Sequence, residues 1–327
     1  MISMVVDFHI HYCPEKYIMP FLGPGGTPSI RFTQDGIVKE NFFSLRCDLP
    51  KLIGMMDDSG VDMAVLSSGL GMRSDIEDCR FINDDIKLRI EEYPGRLAGI
   101  AHVPPLGGRE SFDELRRCRD ELGYKGAAMH SVVRGLSIDS AELYPFFEAV
   151  EELGMFLIIH PGASALVKYF DYDLGRSVCR EGQLAETMVR LIDGGIPDRF
   201  PQLKIVMSHL GGHFYASLSR IESYQDKEFW GTSGHPRHGQ KSTMPFRWYL
   251  DKMFFDAGGI LGDVNPIRMA LLELKPQNIL YGTEYPTEIR ESSVVSKYIS
   301  DIRALPLPQG DIDDLLGNNA LRLLGMM

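Results

Sequence analysis

Residues 141–162 read AELYPFFEAVEELGMFLIIHPG. Ala141 to Leu153 spaces its apolar side chains at helical period, Gly154 ends that helix, and Met155 to Ile159 is a short, continuously apolar run of strand length. His160-Pro161-Gly162 then stops the run. A helix feeding a strand that is apolar on both faces is the unit from which parallel sheets with covered faces are built.

The same unit recurs on either side. Strand patterns fall at Met4 to Phe8, Val61 to Ser67, Leu97 to Val103, Gly126 to Met129, Met155 to Ile159, Leu203 to Met207, Met253 to Asp256, and Asn278 to Tyr281. Helical patterns follow them at Leu49 to Asp58, Asp75 to Tyr93, Ser111 to Leu122, Ala141 to Leu153, Gln183 to Asp193, Phe214 to Tyr224, Val264 to Leu274, and Ser292 to Arg303. Tyr93-Pro94-Gly95 and Gly194-Gly195 with Pro197 punctuate two of the junctions. Eight βα units predict a (β/α)8 TIM barrel, one domain over residues 1–327. Two stretches exceed the bare barrel: residues 14–46, read as an insertion over the mouth after strand one, and residues 224–249, a long loop carrying Trp230, His235, Arg237 and His238. Asp311 to Leu324 predicts an extra C-terminal helix.

Composition narrows the function classes. The chain has 327 residues, 44% hydrophobic and 24% charged, enough apolar content for a large core, which excludes disorder as the main theme. Lys and Arg total 34 against 45 Asp and Glu, a net charge of −11 that disfavours a polyphosphate backbone, so no nucleic-acid partner is expected. No window is apolar enough for a membrane span, and Asp7 interrupts the N-terminal apolar stretch before a signal-peptide core forms. Cys13, Cys47, Cys79, Cys118 and Cys179 are odd in number, far apart and without a C-x-x-C pair, which points to a reducing cytoplasm rather than a disulfide framework.

Barrel enzymes place their chemistry at the C-terminal ends of strands, so the residues there are the test. Strand one ends in Asp7-Phe8-His9-Ile10-His11, where the i, i+2 spacing turns both rings to one side, to share a cation or to cap the strand end. Strand five ends in His160, strand six in Ser208-His209-Leu210-Gly211-Gly212-His213, and strand eight in Gly282-Thr283-Glu284-Tyr285-Pro286. A lone histidine after an apolar run is ordinarily a hydrogen-bonded core residue. Four separate strand ends carrying His, His, His and Glu, with only nine histidines in the chain, make the joint reading a metal site. Three imidazoles and a carboxylate suit one divalent ion, zinc first, with manganese, iron, cobalt or nickel also accepted. Such an ion polarises a carbonyl or carboxylate, and His209 remains to carry a proton.

These motifs resemble the amidohydrolase superfamily, in the amidohydrolase 2 group that contains α-amino-β-carboxymuconate-ε-semialdehyde decarboxylases. The likeness runs from Asp7-x-His9-x-His11 through Lys39-Glu40-Asn41, Phe200-Pro201-x-Leu203-Lys204, Ser208-His209-x-Gly211-Gly212, the strand into Asp256 and Gly282-Thr283-Glu284-Tyr285-Pro286 to Gly317-Asn318-Asn319-Ala320. The resemblance implies that His9, His11, His160 and the acid of the Gly-Thr-x-Tyr-Pro motif bind the metal and that His209 is the catalytic acid/base. It implies a homodimer or higher homo-oligomer, in which Arg220, eleven residues after His209, reaches a neighbouring site; an exposed helix arginine in a surface ion pair is the plainer reading. The implied activity is non-oxidative decarboxylation of a small unsaturated or aromatic carboxylic acid.

Three departures bear on that activity. Where the decarboxylases carry Asp, this chain has Glu284, as the 4-oxalomesaconate hydratase branch does, so Glu284 is either ligand or general base and a hydratase or hydrolase using an activated water is the alternative. Lys39 stands where a substrate-binding arginine is usual, a point charge without the bidentate fork, and Leu210 follows His209 in place of glycine. Beside Lys39 and Arg220, candidate substrate-binding residues are His130 and Arg134 after strand four and Cys179, flanked by Arg176 and Arg180, in the loop after strand five; ordinary loop polarity or packing explains these too. His102 and His213 are read as supporting or packing groups.

Overall fold

The computed structural model describes residues 4–32, 39–162, 173–225, 231 and 241–327, without the side chains of residues 32, 39 and 40. Eight parallel strands follow the sequence order: β1 Val6–His11, β2 Met63–Ser67, β3 Leu97–Gly99 continued by Ala101–His102, β4 Gly126–His130, β5 Phe156–His160, β6 Ile205–Met207, β7 Phe254–Asp256 and β8 Ile279–Leu280. β1, β2 and the first half of β3 pair as one sheet; the second half of β3 pairs with β4 and carries the ladder on through β5, β6 and β7 to β8. The last seam is closed by backbone bonds from Phe8 N–H to Tyr281 O (2.9 Å), Glu284 N–H to His9 O (2.9 Å) and His11 N–H to Tyr285 O (2.8 Å), with Ile10 bridging Tyr285 in parallel. The chain is a (β/α)8 barrel.

Helices α1 Leu49–Ser59, α2 Ile76–Glu92, α3 Gly108–Asp120, α4 Tyr144–Glu152, α5 Arg180–Asp193, α6 Leu218–Gln225, α7 Asn265–Ala270 and α8 Ser292–Arg303 surround it. Local chemistry sets several ends. The Asp48 side chain accepts from Lys51 N–H to cap α1, whose far end turns through left-handed Gly60, and Asp75 caps α2 through Asp78 N–H. α6 starts at Leu218 after a 3-10 turn at Phe214–Ser217, later than the apolar spacing predicts. α5 begins at Arg180, directly after a π-turn at Gly175–Cys179, three residues before the Gln183 start that periodicity marks; that difference matters to the site.

The strands alternate as the period of two requires. Val6, Phe8, Met63, Val65, Phe156, Ile158, Val206 and Leu280 fill the barrel interior, while Leu157, Ile159, Ile205, Met207 and Phe255 pack outward under the helices. The C-terminal segment, Gln309–Asp313 and Asn319–Leu323 around a π-turn, joins the interior cluster through Ala320, Leu321, Leu323 and Leu324 and so closes the lower end. Gly317 permits that closure, because a Cβ there would stand 1.9 Å from Met4 O.

Residues following β1 form three 3-10 turns and an antiparallel hairpin, Ser29–Phe32 with Lys39–Phe42. The tyrosine hydroxyls of Tyr12 and Tyr17 donate to Asp85 and Asp78 and fasten this stretch to α2. Of the long loop at 224–249, Trp230, His235, Arg237 and His238 lie outside the described residues. Among the described residues no helix is long and apolar enough to cross a membrane.

Candidate metal centre

The upper end of β1 is built by a bulge. Asp7 pairs with Ala64 and Ile10 with Leu66, so Phe8 and His9 together oppose the single residue Val65. The extra residue reverses the inward parity: Val6 and Phe8 face the apolar interior, then His9 and His11 face the mouth while Ile10 turns out to the helix-facing core. Asp7 ties the far side of the seam, accepting the Thr283 N–H (3.0 Å) and hydroxyl (2.6 Å) and setting Glu284 beside the two histidines.

Four side chains converge there. His9, His11, His160 and Glu284 each offer one ligand atom, all within 4.8 Å of one another, and all four residues are buried. The Nε2 atoms of His9 and His11 stand 3.3 Å apart, and Glu284 Oε1 is 3.6 Å from His11 Nε2. His160 donates from Nδ1 to Pro161 O (3.1 Å), which leaves its Nε2 buried with no hydrogen-bond partner among the described residues. A buried lone pair without a donor is expensive unless something electrophilic faces it. The arrangement therefore fits a divalent ion, and the N3O donor set is one that such ions accept.

The protonation pattern agrees with that fit. Burial pushes His11 down to about 4 and drives His160 well below the usual histidine range, helped by repulsion from the neighbouring rings, so both are neutral ligands. For His9 burial acts downward, but the charge of Asp256 and its hydrogen bond win. Asp256 Oδ1 accepts from His9 Nδ1 (2.8 Å), Gly258 N–H (3.0 Å) and His209 N–H (3.3 Å), fixing the tautomer that leaves His9 Nε2 free for the centre. Gly258 and Gly259 make room for the rings, since a Cβ at either would stand within 2.5 Å of His9 or His209.

His209, fully buried, enters from a strained turn in which it and Leu210 both have left-handed backbone (φ 53° and 51°). Its Nδ1 lies 2.9 Å from Glu181 Oε1, and its Nε2 lies 3.1 Å from Glu284 Oε2, an ion-pair distance without hydrogen-bond alignment. Burial favours the neutral ring, yet the two carboxylates outweigh it and raise His209 to about 10. Arg180 completes the cluster, with Nη2 at 3.6 Å from Glu284 Oε1 and 3.3 Å from Glu288 Oε1, and Nε at 3.0 Å from Glu181 Oε1. Burial and repulsion by Glu284 push Glu288 up to about 7.

The family model described as amidohydrolase matches residues 6–326. The chain belongs to the amidohydrolase family. It is similar to a 2-amino-3-carboxymuconate-6-semialdehyde decarboxylase of Dictyostelium discoideum, 27% identical over 99% of this chain and 92% of the relative. It is also similar to a gamma-resorcylate decarboxylase of Polaromonas sp., 26% identical over 72% of this chain and 76% of the relative. Among solved structures, a 5-carboxyvanillate decarboxylase from Novosphingobium aromaticivorans, complexed with manganese and a nitrobenzoic acid, superposes with a TM-score of 0.82 at 21% identity, covering 99% of this chain and 96% of that one.

The remaining residues that sequence singles out in this amidohydrolase fall at varied distances from the centre. His130 ends β4 with its ring centroid 5.8 Å from that of His160, and burial lowers it to about 4. Cys179 is half-buried, the last residue of the π-turn before Arg180. Arg134 sits exposed at the tip of the hairpin joining Val132–Val133 to Leu136–Ser137. Arg220 is exposed on α6, bonded to Tyr224 OH at 3.3 Å. Lys39 opens a hairpin strand, and its side chain is outside the described portion. His102 and His213 are structural: His102 Nε2 accepts from Ser68 N–H (2.9 Å), and His213 Nδ1 donates to Tyr215 OH (2.8 Å). The sequence assigns no role to Asp256, although an acid ending strand seven is a visible signal, nor to Glu181, and it marks Arg180 only as a cation flanking Cys179.

Proposed function

We propose that this amidohydrolase is a metal-dependent carboxy-lyase that removes carbon dioxide from a small unsaturated or aromatic carboxylic acid. His9, His11, His160 and Glu284 would hold one divalent ion, zinc or manganese, which supplies Lewis-acid polarisation of the substrate's carboxylate or a neighbouring oxygen. The observation that carries the reading is the placement of His209: a buried imidazole anchored through Nδ1 to Glu181 at 2.9 Å, with Nε2 3.1 Å from Glu284 Oε2 beside the other ligands. Loss of carbon dioxide needs a proton delivered to the carbon it leaves, and an imidazole held beside the ligand group is placed to carry one. The decarboxylase names of the relatives support the same choice.

The test is carbon dioxide release from dihydroxybenzoates, 5-carboxyvanillate and muconate semialdehydes by zinc- or manganese-loaded protein. Silence across that panel with metal bound would overturn the assignment. A second reading, hydration or hydrolysis with Glu284 as base, is favoured by one detail: Glu284 Oε1 faces His11 while Oε2 faces His209, so one carboxylate touches both groups. Solvent oxygen-18 entering product would select it, and Glu284→Asp separates the roles, because a ligand keeps part of the metal and activity while a base keeps metal and loses activity. Lys39, His130, Arg134 and Cys179 are assigned to the substrate's polar groups. Arg220 is assigned to a neighbouring copy in a homodimer, which light scattering with Arg220→Ala examines.

A further inference from the structure

Arg180 and Glu181 are consecutive residues that straddle the His209–Glu284 pair. Glu181 holds the imidazole at 2.9 Å, and Arg180 stands against the carboxylate at 3.6 Å and against Glu181 itself at 3.0 Å. The start of α5 is seated on the turn that carries His209, for a Cβ on Gly212 would meet Glu181 O at 2.1 Å and Leu184 Cβ at 2.7 Å. On the opposite side a Cβ on Gly259 would stand 2.5 Å from the His209 ring, so the glycine backbone lies flat against it. Side chain and backbone of one short segment thus fix both the ring and the turn below it.

We infer that Glu181 is a positioning residue that dedicates His209 Nδ1–H to a permanent hydrogen bond, so that proton traffic is confined to Nε2. Asp256 does the corresponding work for His9, where Nδ1 is bonded at 2.8 Å and Nε2 faces the centre. The two carboxylates are not equivalent partners of His209. Glu284 belongs to the ligand group, and its charge is committed to a cation when one binds. Glu181 lies outside that group and keeps its hold in either state. Arg180 supplies a counter-charge to both, so Glu181 stays an acceptor without adding an unbalanced charge to a buried cluster.

This inference rests on the proton-carrying role proposed for His209, yet it is tested without any substrate. Zinc-loaded protein labelled with 15N-histidine should show a downfield, exchange-protected Nδ1–H resonance, assigned to His209 by its loss in His209→Gln. In Glu181→Leu that resonance should vanish into solvent exchange. In the isosteric Glu181→Gln it should persist but move upfield, because a charged acceptor becomes a neutral one while the geometry is retained. A merely structural glutamate would shift thermal stability and leave the resonance in place, so its survival in Glu181→Leu, or an unmoved signal in Glu181→Gln, overturns the inference. Once a substrate is identified, Glu181→Leu should lower kcat by roughly 10–100-fold with KM nearly unchanged, the pattern of a misdirected proton carrier. Failure of the carbon dioxide assay leaves the resonance test standing, and the two failures are separate.

Discussion

The lower and upper layers of the barrel interior are equally dry and chemically opposite. Below, Val6, Phe8, Phe156, Ile158, Val206 and Leu280 are at most 4% exposed; above, continuing the same strands or standing beside them, His9, His11, His160, His209, Asp256 and Glu284 are at most 7% exposed. Burial favours the first group and opposes the second. The contrast teaches that one β-scaffold performs two jobs within a few residues: the apolar layer, closed by the C-terminal segment, stabilises the cylinder, and the ionisable layer depends on that rigidity and on a cation to offset its own desolvation.

The sharpest way to break this division is to exchange the effects. His160→Ala removes a ligand from the upper layer, so metal affinity should fall by more than about 100-fold, beyond what loss of an outer partner causes. Elemental analysis and zinc titration read this. The metal-free protein should unfold at nearly the same denaturant concentration as the metal-free parent, since the Nε2 of the lost imidazole has no hydrogen-bond partner among the described residues. Phe156→Ala should do the reverse. Phe156 packs on the Phe8 ring at a centroid distance of 5.6 Å and lies so close to Gly126 that a Cβ there would clash at 2.2 Å. Its truncation should cost about 3–5 kcal/mol in a denaturant melt, with metal stoichiometry unchanged. A metal-depleted but folded Phe156→Ala protein would show that the layers are not separable.

Asp256→Asn probes the boundary between them. Asp256 is a strand residue facing the interior, as the apolar positions do, but its carboxylate serves His9. The amide can still contact the ring and cannot hold it as strongly, so metal affinity should fall roughly 10–100-fold while the denaturation midpoint of the metal-free protein moves little. A midpoint shift as large as that of Phe156→Ala would place Asp256 with the structural layer instead.

How much of this was legible in the sequence follows from the same geometry. The eight strands were readable because the apolar layer makes each a dense hydrophobic run, as Phe156 to Ile159 does, and the convergence of His9, His11, His160, His209 and Glu284 followed from their place at strand ends. The bulge at Phe8 and His9 was not legible, since it depends on register against Val65 rather than on residue type. Nor was the placing of Glu181 and Arg180 at the centre. Their partners lie 28 and 104 or more residues away, and the helix that presents them has no cap or glycine to mark its start. Asp256 was visible as an acid ending a strand, but a hydrogen bond between positions 247 residues apart is fixed only by closure of the barrel.

The last test concerns a histidine at the mouth that belongs with the structural layer. His102 ends β3 fully buried, accepts Ser68 N–H through Nε2, and has its backbone held on both sides by the Asn83 side chain. Burial, with repulsion from His130, lowers it to about 3, below its ordinary value of 6.5. The unfolded chain therefore binds a proton that the folded chain refuses between those values. Stability contributed by the neutral ring is complete above pH 6.5 and is lost as pH falls toward 3, with a slope of about 1.4 kcal/mol per pH unit. His102→Gln keeps an acceptor near Nε2 but cannot be protonated. Urea melts of both proteins with metal removed, at a series of pH values below 6.5, should diverge in slope by up to about one proton, because His11 and His160 titrate in each and cancel in the difference, while His130 loses only its repulsion from His102. Equal slopes would mean that His102 accepts a proton in the folded state, and the hydrogen bond from Ser68 would then have to be replaced by a water or a rotated ring.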